Sequence, residues 1–259
     1  MQTWPHCTTG AAKDAEDMVK VDPNIHYNEN YFYEPGKPTK TYVDQFGITR
    51  EYHGPAKDWH GFSIIAMWIK ENFPEIKDIY DMGCGAGSFV ARANSVGLSC
   101  FGCDISRYAI KNCVTGAGGK VRVANIVTDP VLNKKHDLVT ALDLMEHIYE
   151  KDLQSALNFI TEAIKPGGYF FACVATARHE NEIWTHTSED DEVPADKRWL
   201  AVSGHVNVKF FDYWLEKFIQ LGFKPDYEKM YKFQIWRMLN NEMKNMDAWS
   251  LLNVFIGKK

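Results

Sequence analysis

The chain has 259 residues, 45% of them hydrophobic and 24% charged, enough for one sizeable α/β domain with a small appendage. A formal charge of −5, with Lys134-Lys135-His136 as its short basic cluster, offers no global attraction for phosphate backbones, so nucleic acid is a disfavoured partner. No apolar run approaches bilayer-spanning length and Met1 to Cys7 lacks a signal-peptide core, which predicts a cytoplasmic protein without a membrane partner.

Residues 1–26 are a polar mixture of acids and bases, to which no chemistry is assigned. From Tyr27 to Gly61 aromatics stand among prolines and glycines, including Tyr31, Tyr33, Tyr42, Tyr52 and Trp59. A long irregular stretch of this kind reads as a lid or binding loop, with simple packing over the core as the alternative. Residues 1–61 are therefore expected to form an arm and lid, and 62–259 the main domain. Tyr52, Trp59 and His60 are candidates for acceptor contact.

Phe62, Ile65, Ala66, Ile69 and Phe73 fall on one helical face, closed by Pro74. Strand-helix units follow: a strand over 78–82 with a helix to about Val96, a strand ending at Asp104 with a helix over 105–114, and a strand over 120–124. A largely apolar strand over 137–142, a helix over 152–165 stopped by Pro166-Gly167-Gly168, and a strand over 169–174 complete the alternation, which predicts a parallel sheet wrapped by helices. Residues 176–204 read as an insertion after the fifth strand, where substrate must enter an open α/β sheet, and Trp184 within it is a further acceptor candidate. Its run Glu189-Asp190-Asp191-Glu192 is read as a solvated loop. A helix over 210–221 and strands over 224–236 and 250–256 finish the chain.

The stretch Ile79 to Val90, I-Y-D-M-G-C-G-A-G-S-F-V, reads as buried strand, glycine turn and helix start. Glycines at 83, 85 and 87 permit positive φ and close approach of a ligand to main-chain atoms. The dinucleotide fingerprint requires a third glycine where this chain has Ser88, so the spacing disfavours NAD. Asp104, ending the next apolar run, is placed to receive ribose hydroxyls. Cys84 is explained by small size rather than reactivity. All six cysteines are expected to be reduced, and Cys100-x-x-Cys103 has no second pair to complete a zinc site.

Asp143-Leu144-Met145-Glu146-His147 places residues i, i+3 and i+4 on one side of a helical turn at the end of the fourth strand, and His205 follows the insertion. Two carboxylates and two imidazoles, Asp143, Glu146, His147 and His205, suit a divalent site for Mg, Mn or Zn that would orient a hydroxyl and lower its pKa. General-base use of His147 or His205 without metal, with Glu146 beside them, and a purely structural role stand as alternatives.

The signals D-M-G-C-G-A-G, F-G-C-D-I-S, A-N-I, D-L-V-T-A-L-D-L-M-E-H and I-K-P-G-G, in that order over roughly residues 60–225, resemble the class I S-adenosylmethionine-dependent methyltransferases. The resemblance implies a Rossmann-like, doubly wound, seven-stranded, mostly parallel sheet with helices on both faces, closed by a hairpin with one antiparallel strand. It implies S-adenosylmethionine as cofactor, lined by Asp81, Gly83, Cys84, Gly85 and Gly87, with Asp104 on the ribose, Ile105 packed on adenine and Asn125 and Ile126 at the adenine edge. The D-x-x-E-H and distant His resemble the ion ligands of ubiquinone-pathway O-methyltransferases and small-RNA 2′-O-methyltransferases; Asp143 stands where those have Glu, and facing the cofactor's methionine amino group is the alternative role for its shorter side chain. G-H-V-N-V-K-F-F-D-Y-W and D-I-S-R-Y-A-I-K-N-C resemble enzymes acting on sugars, glycan precursors or natural products. The expectation is methyl transfer to a hydroxyl of a small molecule by a monomer or homodimer. N-methylation, RNA 2′-O-methylation and a non-catalytic cofactor-binding subunit are the alternatives.

Overall fold

The computed structural model describes residues 27, 31, 40–43, 49–52, 61–130, 133–187, 192–201, 203–239 and 253–259. An antiparallel pair, β1 (Lys40–Val43) and β2 (Thr49–Tyr52), precedes α1 (Gly61–Asn72), β3 (Asp78–Met82), α2 (Ser88–Ser95), β4 (Ser99–Asp104), α3 (Arg107–Lys111), β5 (Val121–Val123) and β6 (His136–Leu142). A 3-10 turn over Met145–His147 leads to α4 (Glu150–Ala163) and β7 (Ile164–Cys173). The insertion carries β8 (Trp184–Thr185), α5 (Arg198–Ala201) and β9 (Asn207–Val208), and the chain ends with α6 (Phe211–Gln220), β10 (Lys224–Pro225), α7 (Tyr227–Leu239) and β11 (Val254–Lys258).

Seven strands form one sheet in the order β10-β11-β7-β6-β3-β4-β5. Strands β3 to β7 run parallel, and β11 runs antiparallel to both β7 and β10. The chain moves outward from β3 to β5 and then returns to place β6 on the other side of β3. That reversal opens a crevice at the carboxyl ends of β3 and β6, where open α/β sheets bind ligands.

Alternation along the strands sends successive side chains to opposite faces. Phe171 joins Trp68, Phe73 and Phe233 on the face covered by α1 and α7, while its neighbour Phe170 joins Trp214, Phe218 and Phe255 on the face covered by α4 and α6. All of these rings are fully buried, so each contributes about 2 kcal/mol or more of apolar burial. Among the described residues, no helix is long and apolar enough to cross a membrane.

Several expected elements change. The strand expected over 224–236 is confined to Lys224–Pro225, and α7 occupies the rest. Aromatic content suggested a strand, but the burial of Met230, Phe233 and Arg237 follows helical spacing. The Asp226 side chain accepts from Lys229 N–H at 3.0 Å and caps the start. The helix expected to reach Lys165 ends at Ala163, and Pro166-Gly167-Gly168 lies within β7, at an irregularity in its pairing with β6. The helix expected over 105–114 is only five residues, because Ser106 is its N-cap and the chain leaves it at Asn112. The last strand begins at Val254 rather than Ser250; residues 250–252 lie outside the described residues.

Candidate functional site

The chain turns sharply after β3 through three left-handed glycines, Gly83 (φ 70), Gly85 (φ 54) and Gly87 (φ 80). A Cβ on Gly83 would lie 2.7 Å from Leu144 Cδ1, and one on Gly87 2.6 Å from Ala117 Cβ, so conformation favours glycine at both and space also requires it at Gly87. The turn is tied internally. Cys84 N–H donates to the Cys103 carbonyl at 2.9 Å, and Gly87 N–H donates to the Cys84 carbonyl at 2.9 Å. The Cys84 amide is thus committed to a structural bond, and burial pushes its thiol well up.

Asp104 closes the turn from the end of β4. Its Oδ2 accepts from Gly85 N–H and its Oδ1 from Ser106 N–H, both at 2.8 Å. Burial raises its pKa and those two bonds oppose the rise. Asp81 lies beneath the turn, 3% exposed, where its Oδ1 accepts from Thr140 Oγ1 at 2.6 Å and braces β3 against β6. Burial lifts its carboxyl to about 7, against the Thr140 bond and with the Asp104 charge adding to the rise. Ile105 is half-buried, and Ile126 is buried in the core on the α4 and α6 face. Asn125 builds a turn: its Oδ1 accepts from Val127 N–H at 2.9 Å and its own N–H donates to Asp129 Oδ2 at 3.0 Å.

On the β6 side, Asp143 has φ 55, the one non-glycine positive φ among the described residues. Such strain persists where surroundings over-determine it, often at functional sites. Its N–H donates to the Cys173 carbonyl at 2.9 Å. Asp143 opens to solvent in the crevice while protein atoms wall it on the other sides; that enclosure lifts its carboxyl to about 6, and the Arg237 cation counters the rise.

Glu146 is completely buried, and neither carboxylate oxygen has a hydrogen-bond partner. The N–H groups of Glu146 and Ala175 lie close enough to favour the charge without making such a bond; burial, then the Asp143 charge, push its pKa well up. His147 Nδ1 lies 3.0 Å from the Gly204 carbonyl. A carbonyl only accepts, so Nδ1 carries the proton and Nε2 the lone pair. Burial lowers this imidazole to about 4, against the Gly204 bond, and it is neutral at pH 7. The His205 ring stands edge-on to His147 with centroids 5.0 Å apart.

Ligand atoms of Glu146, His147 and His205 all lie within 4.8 Å of one another. Asp143 is not part of that set, a correction to the expected quartet: the left-handed turn carries its side chain into the open crevice. The insertion delivers the third member. Val206 N–H donates to the Glu146 carbonyl at 2.8 Å, and β8 pairs with β9 over a small core of Tyr149, Trp184, Leu200 and Val206. Trp184, 6% exposed, fills that core instead of offering its ring to an acceptor. Tyr52 ends β2, and Trp59 and His60 lie outside the described residues.

Three contributors escaped the sequence reading. Thr140 holds Asp81, Ser106 holds Asp104, and Arg237, 3% exposed on α7, brings a buried cation toward Asp143 and Cys173. The spacing 230, 233, 237 was the available signal for Arg237.

The donor set fits the groups that the sequence implies. The glycine turn, packed against Leu144 and Ala117 where a Cβ would stand, presents main-chain atoms beside the Asp104 carboxylate at the strand ends, an arrangement that suits a nucleoside. A buried carboxylate without a partner next to two imidazoles matches the oxygen and nitrogen preferences of Mg, Mn or Zn.

The family described as Methyltransferase domain matches residues 80–172. A ubiquinone biosynthesis O-methyltransferase of Ralstonia nicotianae is 28% identical over 111 residues, 40% of this chain and 46% of that protein. The chain thus spans about half the length of the curated relatives it matches. A SAM-dependent methyltransferase of Archaeoglobus fulgidus shares the fold with a TM-score of 0.50 at 15% identity, over 76% of this chain and 94% of that one. An O-methyltransferase family protein of Burkholderia thailandensis does so with a TM-score of 0.51 at 13% identity, over 76% of this chain and 55% of that one.

Proposed function

We infer that this chain, a class I S-adenosylmethionine-dependent methyltransferase, methylates a hydroxyl of a small molecule such as a sugar, glycan precursor or natural product. The observation that carries the hydroxyl is the buried, unpartnered Glu146 carboxylate set against two imidazoles beside the crevice. A neutral amine is already nucleophilic, whereas a hydroxyl needs a base or a metal to lose its proton. The ubiquinone-pathway relative supports the same choice.

Bound S-adenosylmethionine supplies a sulfonium methyl for in-line displacement. Gly83, Gly85 and Gly87 admit the nucleoside to the main chain, Asp104 receives the ribose hydroxyls, Ile105, Asn125 and Ile126 border the adenine, and Asp143 faces the methionine amino group. Without a bound ion, His147, with Nδ1–H held by Gly204, takes the acceptor proton at Nε2. A divalent ion would be held by Glu146, His147 and His205 and would supply Lewis-acid activation of the hydroxyl. A cytoplasmic setting is supported by the free cysteines Cys84, Cys100, Cys103, Cys113 and Cys173.

The test is calorimetric titration of S-adenosylhomocysteine into chelator-treated protein, with and without magnesium, manganese or zinc, alongside metal analysis of the purified protein. Nucleoside binding is expected under every condition, with a stoichiometric ion that His205→Ala loses. Absence of an ion throughout would leave Glu146, His147 and His205 as an acid-base device and return amine acceptors to equal footing.

A further inference from the structure

β4 and β6 flank β3, so a residue that touches both the loop after β4 and the turn after β6 must cross the glycine turn between them. Tyr27 makes that crossing. Its carbonyl accepts from Ser106 Oγ at 2.6 Å, and Ser106 is the residue whose N–H holds Asp104. On the other side its phenol oxygen lies 3.0 Å from His147 Nδ1. Because Nδ1–H already faces the Gly204 carbonyl, the phenol joins as a second acceptor of that hydrogen.

The ring geometry fixes the crossing in place. Tyr27 stands edge-on to His147, with centroids 5.7 Å apart, and edge-on to Tyr31 at 4.8 Å. Tyr31 donates to the Ser203 carbonyl at 3.5 Å, close in sequence to His205. The two tyrosines thus join Ser106, beside Asp104, to His147 and to the Ser203 carbonyl at the end of the insertion.

We propose that Tyr27 is a positioning residue that clasps the crevice, tying Ser106 to His147 across the glycine turn so that the nucleoside enters and leaves only when the clasp opens. The proposal rests on the methyltransferase reading. The tie consists of two neutral hydrogen bonds and edge-on ring contacts, strong enough to close over a ligand and weak enough to open in each turnover.

The experiment measures association and release rates of S-adenosylhomocysteine by stopped-flow tryptophan fluorescence for the full chain and for Tyr27→Phe, Tyr27→Ala and Ser106→Ala, with unfolding temperatures recorded for each. A clasp slows both directions, so Tyr27→Ala should raise both rates about tenfold. Tyr27→Phe, which keeps the ring and loses one neutral hydrogen bond, should raise both about fivefold. Ser106→Ala should act in the same direction by loosening the other end. A rise in release alone would make Tyr27 an ordinary ligand contact and overturn the clasp. Unchanged rates in all three variants would overturn it too. Wild-type protein that binds no S-adenosylhomocysteine would instead overturn the methyltransferase reading, and the clasp with it.

Discussion

On the β3–β4 side of the crevice the Asp104 carboxylate is held by two backbone N–H groups and Asp81 by Thr140, and the glycine turn is tied to β4. On the β6 side Glu146 is buried with neither oxygen satisfied, and Asp143 is held in a strained conformation. One side is a finished mould whose shape exists before any ligand arrives. The other carries a buried carboxyl with neither oxygen hydrogen-bonded, which either a proton or a further group can neutralise. On the function proposed above, shape governs nucleoside recognition and charge governs the acceptor chemistry.

The largest expected effect tests the mould. Gly87→Ala places a Cβ 2.6 Å from Ala117 in a left-handed conformation, which costs about 3 kcal/mol and should weaken S-adenosylhomocysteine binding roughly a hundredfold in calorimetry. Unchanged affinity would mean that the turn yields. Next, Asp104→Ala removes a charged acceptor and should weaken the same binding about tenfold, while His205→Ala should leave it intact and reduce turnover. Loss of nucleoside affinity in the histidine variant would erase the division between the two sides.

The buried carboxyl on the β6 side predicts a smaller effect of opposite sign. Glu146→Gln should raise the unfolding temperature of chelator-treated protein at pH 8, by relieving about 1 kcal/mol or more of unmet burial, and should abolish divalent-ion uptake. A lowered unfolding temperature would show that Glu146 is already satisfied. The smallest effect concerns Asp81, whose folded pKa of about 7 exceeds its unfolded value of 3.8. Its contribution to stability is complete below pH 3.8 and is lost as pH rises through about 7. Asp81→Asn should therefore flatten the decline in unfolding temperature over that range. A decline of unchanged slope would assign it to other groups.

The mould was legible in the sequence because it is local. Three alternating glycines after an apolar run fix a turn by sterics alone, and the bounds Asp78–Met82 match the observed strand. The β6 side was legible as a set of residue types but not as an arrangement. That Glu146 is unpaired, that Asp143 turns away from it and that Tyr27 meets His147 across 120 residues of sequence depend on tertiary packing. α7 was misread because Tyr231, Phe233, Ile235 and Trp236 have strand-forming side chains, while Asp226 and the buried face fix a helix. That misreading also concealed Arg237, on the last turn of α7 and facing Asp143.

β11 lies inside the sheet between β10 and β7, with Val254 opposite Cys173 and Lys258 opposite Tyr169. During synthesis β7 emerges long before its partner, and its apolar edge waits through the making of the insertion, α6 and α7. An uncovered strand edge recruits strands from other chains, and late non-local pairing folds slowly. The hazard of this architecture is thus greatest in the nascent chain: crowded translation favours clumping, and slower synthesis in the cold favours soluble yield.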